Sequence, residues 1–444
     1  MSATLPRLLP SIPLRAAPDP RLGGAAFLGR DGGPLDSAPN DSLVVGTLRM
    51  GYGHYRMGRA AVTWGLRAGA RVFVHDPLSI DSVEASVMRI SERAYSACSR
   101  LSATLGGPAE RAWGRLMKCG GPQSRDASRR LARGLERLMA GVPRDWPIIC
   151  THPWSAHLAV VGGLKRVVHL IPDSDPQHFF VVPETLSLTQ NEESRRAMIA
   201  LGAPPERVAT AGHWVPAELA ENAEADSGAR LRRLGRGAPL RLLFSIGGAG
   251  AQSEYLEDLF SRLAASARGA RLRLVLNVGD HPGLAQRFER ALRAAGLAAA
   301  RVDGETALDD FIARHALEGP EIETEAVIVA AAGTLEAVAA TDRLIRVCDV
   351  LVTKPSELAF FPLPKLHIRR VGDHEAAGAR YSAELGDGTP ERRDPAEAAA
   401  DVGLWLKEPG ALARLNDGVL GAARRGIYLG AKVAVARALE RDFS

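Results

Sequence analysis

Short apolar runs separated by stretches with helical spacing recur along most of this 444-residue chain. They read RVFVHDP, WPIICTHP and RVVHLIPD in the first half, and RLLFSIGG, RLRLVLNVGD and EAVIVAA in the second. Runs of four to six apolar residues are typical of strands buried on both faces, and intervening helices make the sheet parallel. The pattern therefore predicts an α/β protein.

The alternation of strands and helices occurs twice, which predicts two Rossmann-like domains facing a cleft. Residues 1–42 are rich in proline and glycine and are expected to form an irregular arm. We place the first domain at 43–216, a polar linker at 217–238, the second domain at 239–427 and a terminal helix at 428–444. That last helix has no strand after it and is predicted to cross back to the first domain.

Composition narrows the class of protein further. Apolar content of 46%, charged content of 24% and a net charge of +5 describe a globular protein with no basic tract for nucleic acid. The four cysteines lack metal-type spacing, which fits a reducing cytoplasm. No apolar run reaches the length of a membrane span, and prolines interrupt any leader-like segment, so we expect no stable membrane insertion.

The sequence GYGH, at Gly51 to His54, follows an apolar run and opens a helical pattern. Gly51 and Gly53 would form a turn at the carboxyl end of a strand, where open α/β sheets bind ligands. His54 would stand at a helix N-terminus with a pKa near working pH, which suits a general base. The alternative is a tight turn with a capping histidine.

In the second half, polar clusters follow four successive strands. Glycines at such a turn let backbone amides approach a phosphate. The predicted contacts to a nucleotide diphosphate sugar are Gly247, Gly248, Gly250, Asn277, Lys354, Ser356, Glu357, Asp373, His374 and Glu375. The nucleotide sugar would be a co-substrate, and no separate cofactor is expected. Each cluster by itself is also compatible with an ordinary turn.

In the first half, histidines at predicted strand ends are candidates for substrate binding: His152, His178 and His213. Asp173 and Asp175 have the DxD spacing that can hold a divalent ion against a diphosphate. A turn whose side chains bond their own backbone explains the same residues. We favour the turn and predict no metal site, because the phosphate-type loops lie in the other half of the chain.

Together these motifs resemble the two-domain GT-B glycosyltransferases of the monogalactosyldiacylglycerol synthase and processive diacylglycerol glucosyltransferase group, related to MurG. Gly51, Gly53 and His54 match the GxGH turn, and Thr151 to Pro153 match THP. Asp173 and His178 echo the TDxxxHxxW segment. GGAGAQ and LIRVCDVLVTKP are similar to the nucleotide-binding half, and GDHE, at 372–375, resembles the GQE loop.

The resemblance implies an inverting, metal-independent glycosyltransferase, with the donor on the second domain and His54 and Asp173 in the catalytic centre. The chain departs from the family after Lys354, where it runs PSELAFFP instead of continuing through two glycines. Residues of about 82–141 combine arginines with apolar side chains, a pattern that fits either a basic surface facing a lipid membrane or ordinary helix packing. We favour packing and therefore expect a small-molecule acceptor, with a lipid acceptor as the alternative. A nucleotide-sugar epimerase and a non-catalytic nucleotide-sugar-binding protein also stay open, as do the sugar, the base and the oligomeric state.

Overall fold

Two predominantly parallel β-sheets, one in each half of the chain, form the framework of the protein, and of the strands described only the first three include antiparallel pairings. The computed structural model describes residues 12–35, 41–49, 51–90, 121–246, 252–370 and 375–440. Strands of the first sheet are β1 (Arg15–Pro18), β2 (Ala26–Gly29), β3 (Gly33–Pro34), β4 (Ser42–Gly46), β5 (Arg71–His75), β6 (Ile148–Cys150), β7 (Val167–Leu170), β8 (Leu186–Thr189) and β9 (Val208–Thr210). Those of the second are β10 (Leu240–Ser245), β11 (Leu272–Asn277), β12 (Ala299–Asp303), β13 (Ala326–Ala330), β14 (Val350–Thr353) and β15 (Lys365–His367).

Helices cover both faces of each sheet. Those packed mainly with the first sheet are α1 (Gly53–Arg67), α2 (83–90), α3 (Gly121–Gly134), α4 (Pro153–Val161) and α5 (Glu192–Ala200). The later helices are α6 (Ala217–Gly235), α7 (Ser253–Arg268), α8 (Pro282–Ala294), α9 (Glu305–Arg314), α10 (Thr334–Ile345), α11 (Ala376–Leu385), α12 (Pro395–Lys407), α13 (Pro409–Arg424) and α14 (Gly430–Leu439).

The strand orders are β3-β1-β2-β5-β4-β6-β7-β8-β9 and β12-β13-β11-β10-β14-β15. All pairings from β4 onward are parallel. In β4, Leu43 and Val45 enter the core beneath α1, whereas Val44 enters the core on the opposite face. This alternation explains why the strands read as continuous apolar runs. The predicted pair of Rossmann-like domains facing a cleft is confirmed.

Two parts of the chain differ from the prediction. Residues 15–34 of the expected arm form three strands, and β2 extends the first sheet beside β5. Residues 217–235 of the expected linker form α6, whose Leu219 enters the core of the second domain. The segment reads as polar because it carries Arg230 and Arg233, yet both are fully buried. Asp349, 2.6 Å from Arg233, compensates the charge there.

The terminal helix α14 packs on α1 of the first domain, as predicted. Ala434 and Val435 share a core with Trp64. The chain therefore crosses between the domains twice, before α6 and before α14. The two crossings touch, because the backbone N–H of His213 donates to the carbonyl of Ile427 at 2.6 Å.

We expect Gly212→Ala to destabilise this double crossing. Gly212 has φ +100°, and an added β-carbon would lie 2.5 Å from the Ile427 carbonyl oxygen. Backbone strain and the clash should lower the free energy of unfolding by about 1–3 kcal/mol, measured by urea denaturation. Gly202→Ala is the control, since Gly202 has φ +95° and open space around it. Equal losses of unfolding free energy in the two variants would show that the contact between the two crossings does not stabilise the protein.

Candidate functional site

Tyr52, in the turn that follows β4, bridges the cleft to the turn that follows β11. Its hydroxyl donates to Asp280 Oδ1 at 2.5 Å, and the backbone N–H of Asp280 donates back to the hydroxyl at 3.2 Å. Thr334 holds the other carboxylate oxygen at 2.9 Å. A β-carbon on Gly279 would overlap the Tyr52 hydroxyl, so the GD turn after β11 needs a glycine. The GYGH turn of the first domain therefore contacts the second domain directly.

His54 is the second residue of α1 and is partly exposed. Its Nδ1 lies 2.6 Å from the carbonyl oxygen of Thr151, at the end of β6. Because a carbonyl only accepts, Nδ1 carries the hydrogen, and Nε2 is left with a lone pair. The ring of His152 packs edge-on at 4.5 Å between centroids. His54 is thus held in one tautomer, with a nitrogen able to accept a proton.

The local environment keeps the histidines of this site neutral. Burial lowers the pKa of His54, and the negative charge of Glu357 and the bond to Thr151 offset only part of that effect. Burial, together with the neighbouring histidines, lowers the pKa of His152 well below its ordinary value. His152 Nδ1 accepts from the backbone N–H of Trp154 at 3.0 Å and so caps α4.

Glu357, from the second domain, rests against the N-terminus of α1. It starts a 3₁₀ helix, Glu357–Phe360, just after β14. A β-carbon on Gly53 would overlap its carboxylate, so only glycine permits this approach. The structure thereby brings together Gly53, His54 and Glu357, which the sequence assigns to different domains.

Lys354 and Glu375 form an ion pair beside Glu357, at the mouth of the second domain. Burial alone would lower the pKa of Lys354, but Glu375, Glu357 and Asp173 outweigh it and the pKa is raised. Asp173 follows β7 in the first domain, so its carboxylate acts on Lys354 from across the cleft. The site therefore contains a cation that stays charged at neutral pH.

Two arginines of α1 that the sequence reasoning missed also cross the cleft. Arg56 is buried and donates to Thr341 Oγ1 at 3.1 Å and to Ser245 Oγ at 3.4 Å. Arg59 Nε donates to Asp342 Oδ2 at 2.7 Å. Arg56 and Arg59 follow GYGH and are three residues apart, so both lie on one face of α1. This spacing could have been recognised in the sequence.

The remaining predicted residues are placed as follows. Asn277 is buried, donates to Ala337 O and Thr341 Oγ1, and accepts from the N–H of Gly279, so it shapes the turn after β11. Gly51 is exposed with φ +77°, Ser356 lies in the turn before Glu357, and His178 begins a half-buried 3₁₀ helix, His178–Phe180. Gly247, Gly248, Gly250, Asp373 and His374 lie outside the described residues.

His213 does not join the others at the cleft. It is fully buried, with Nδ1 3.0 Å from the carbonyl oxygen of Phe360 and its ring packed against Phe360, Tyr381 and Tyr428. Burial lowers its pKa to about 3. The predicted substrate contact is therefore replaced by a packing role at the domain crossing.

The described part of the chain has neither a metal-type cluster of side chains nor a membrane-spanning helix. No cluster of three or more His, Cys, Asp or Glu side chains there has an arrangement that could hold a metal ion. Of the helices described, none is long and apolar enough to span a membrane.

Comparison with solved structures finds similar chains at low sequence identity. HepE from Anabaena in complex with UDP is 12% identical, with 89% of this chain and 98% of that chain aligned and a TM-score of 0.46. UDP-GlcNAc 2-epimerase from Neisseria meningitidis bound to UDP-GlcNAc is 9% identical, with 89% and 98% aligned and a TM-score of 0.48. Trehalose 6-phosphate synthase from Burkholderia multivorans is 13% identical, with 90% and 98% aligned and a TM-score of 0.45.

Comparison by sequence gives family matches without a function. No curated protein matches the chain. A family described as domain of unknown function DUF6937 matches residues 25–194. A second family, described as domain of unknown function DUF6938, matches residues 203–439, which is more than half of the chain. The chain therefore belongs to the DUF6938 family.

Proposed function

We propose that this protein is an inverting, metal-independent glycosyltransferase that moves a sugar from a nucleotide diphosphate to a small-molecule acceptor. The observation that carries the proposal is the meeting of His54 with Glu357, Lys354 and Glu375 across the cleft. One domain supplies a neutral base and the other supplies a lysine that stays charged. That division suits a reaction between an acceptor and a donor that occupy different domains.

In the proposed reaction the acceptor hydroxyl loses its proton to His54 Nε2 while its oxygen attacks the anomeric carbon. The bond from that carbon to the diphosphate oxygen breaks, and its electron pair leaves with the nucleotide. A single displacement of this kind inverts the anomeric configuration. His54 can accept the proton because its Nδ1 hydrogen is committed to Thr151.

The charge that develops on the departing diphosphate needs a positive partner. Lys354 keeps its charge through its ion pair with Glu375, and the negative charge of Asp173, in the first domain, also favours the charged lysine. The glycines at Gly247, Gly248 and Gly250 stay the predicted diphosphate contacts, with Asp373 and His374 near the sugar. Preorganised charges of this type stabilise a leaving group without a metal ion.

Metal independence has a direct test. Turnover should be unchanged in excess chelator, and Asp175→Asn should alter it less than about threefold, because the cation is supplied by Lys354. The measurement is initial rate with and without chelator for both proteins. A strict requirement for a divalent ion that disappears together with Asp175 would instead support the DxD interpretation.

The decisive experiment for the proposed function is a calorimetric binding screen of the full chain against UDP-, GDP- and TDP-sugars. Binding of one nucleotide series, followed by sugar transfer only when an acceptor is added, is the expected result. Isomerised or released sugar without acceptor would favour an epimerase. Failure of all three series to bind would contradict the proposal.

The acceptor class is tested separately by sedimentation with anionic vesicles. The alternative of a lipid-facing surface concerns residues of about 82–141. Of these, residues 91–120, with Leu101, Leu105, Trp113, Leu116 and Met117, lie outside the described residues. A soluble acceptor predicts no binding to the vesicles. Binding that is lost when Arg129, Arg130 and Arg133 are replaced would establish a lipid acceptor instead.

A further inference from the structure

Helix α1 lacks an N-terminal cap of its own. Tyr52, at the N-cap position, makes no side-chain hydrogen bond to the helix, and the first turn contains no acidic residue. The unpaired amides of a first turn carry partial positive charge, and helices usually place a carboxylate or hydroxyl there. His54 lies within this first turn, so its imidazole stands in an electropositive position that disfavours protonation.

The missing carboxylate comes from the second domain. Glu357 packs against Gly53, the residue before His54, at a distance that leaves no room for a β-carbon. Its position is fixed by the 3₁₀ helix Glu357–Phe360, whose Leu358 is buried in the core of the second domain. A carboxylate held by one domain therefore complements a helix end that belongs to the other.

The other groups around His54 do not supply this negative charge. Thr151 contributes a neutral carbonyl, and His152 and His169 are neighbouring imidazoles whose pKa values are lowered by burial. Among the residues that the structure describes, Glu357 is the charged group that acts on His54, and its charge opposes the effect of burial. An imidazole that gains a proton here would be stabilised chiefly by that one carboxylate.

We propose that Glu357 is a positioning residue for His54, supporting from the opposite domain the positive charge that His54 acquires as it takes the acceptor's proton. The inference rests on the proposed function and deepens it, because it reassigns Glu357 from the donor to the base. As the new bond to the anomeric carbon forms and the diphosphate leaves, the acceptor's proton passes to the imidazole. Glu357, packed against the neighbouring Gly53, then compensates the positive charge of the imidazolium. The imidazolium of His54 is therefore stabilised by Glu357 only while the two domains are closed on each other.

The first test is a proton NMR titration of His54 in the full chain, with its signal assigned by comparison with His54→Gln. Glu357→Gln removes the negative charge, so the imidazolium is less stable and the pKa of His54 should fall by about one unit. Gly53→Ala should give a similar fall, since its β-carbon displaces the carboxylate. The control is Gly58→Ala, on the same helix, whose β-carbon would have ordinary 3.6 Å contacts and should leave the titration unchanged.

The second test is the pH dependence of turnover. Because the neutral base is the active form, a lower pKa moves the acid limb to lower pH, and the weaker base should reduce the plateau about tenfold in Glu357→Gln. The Michaelis constant for the donor should change little, and Glu357→Asp should restore part of the rate. An unchanged titration of His54, or a loss confined to donor affinity, would overturn the inference. If no nucleotide sugar binds the wild type but the titration shifts, the proposed function fails while the pairing of Glu357 with His54 stands.

Discussion

Replacing His54 with alanine should lower turnover by about a hundredfold or more, the usual effect of removing a general base. The binding constant for the nucleotide sugar should barely change, because the predicted donor contacts lie on the second domain. The large effect follows from the fixed tautomer: with Nδ1 bonded to Thr151, Nε2 is the nitrogen available to the acceptor. Steady-state rates test the expected loss of turnover. Calorimetry on the same preparation tests whether the affinity for the donor is unchanged.

The control for this experiment is His315→Ala. His315 follows α9 in the second domain. Its Nδ1 lies 3.0 Å from the carbonyl oxygen of Pro320. Its replacement should leave turnover and donor affinity intact. Weakened donor binding with normal turnover at saturation would make His54 a binding residue, and full activity in His54→Ala would favour a non-catalytic binding protein.

The sequence predicted those features that depend on local pattern. The turn Gly51 to His54 could be recognised because glycine is needed at positive φ in Gly51 and at close approach in Gly53. Lys354, Glu357 and Glu375 could be grouped because each follows a strand, and the carboxyl ends of parallel strands share one edge of a sheet. The fold followed from the same alternation of apolar runs and helices.

Contacts between distant residues could not be predicted in this way. Tyr52 and Asp280 are 228 positions apart, and nothing in a single sequence pairs them. Arg233, in the segment read as a linker, can be buried because Asp349, 116 positions away, neutralises its charge. His213 was taken for a cleft residue because it follows a strand, but the aromatic rings that enclose it come from residues 360, 381 and 428.

A second charge pair shows the same dependence on distant partners. Lys365, in β15, and Asp387 are both fully buried, with Lys365 Nζ 2.7 Å from Asp387 Oδ2. Lys365 also donates to the carbonyl of Phe361 at 2.9 Å. Asp387 accepts from Ser382 Oγ at 2.6 Å and from the Tyr428 hydroxyl at 3.2 Å. The network therefore ties β15 to the crossing that leads into α14.

Asp387→Ala should lower the free energy of unfolding by about 3–5 kcal/mol, because it leaves a lysine buried without its counterion. Burial already lowers the pKa of Lys365, and losing Asp387 would lower it further below the unfolded value. The unfolded state then binds more protons, so the deficit of the variant should shrink as pH rises, which urea denaturation at several pH values would reveal. Asp145→Ala is the matched control: Asp145 and Lys165 form an exposed pair at 2.8 Å, where solvent screens the charges and little stability should be lost. Equal and pH-independent losses in the two variants would mean that the buried pair stabilises the domain crossing no more than a surface contact does.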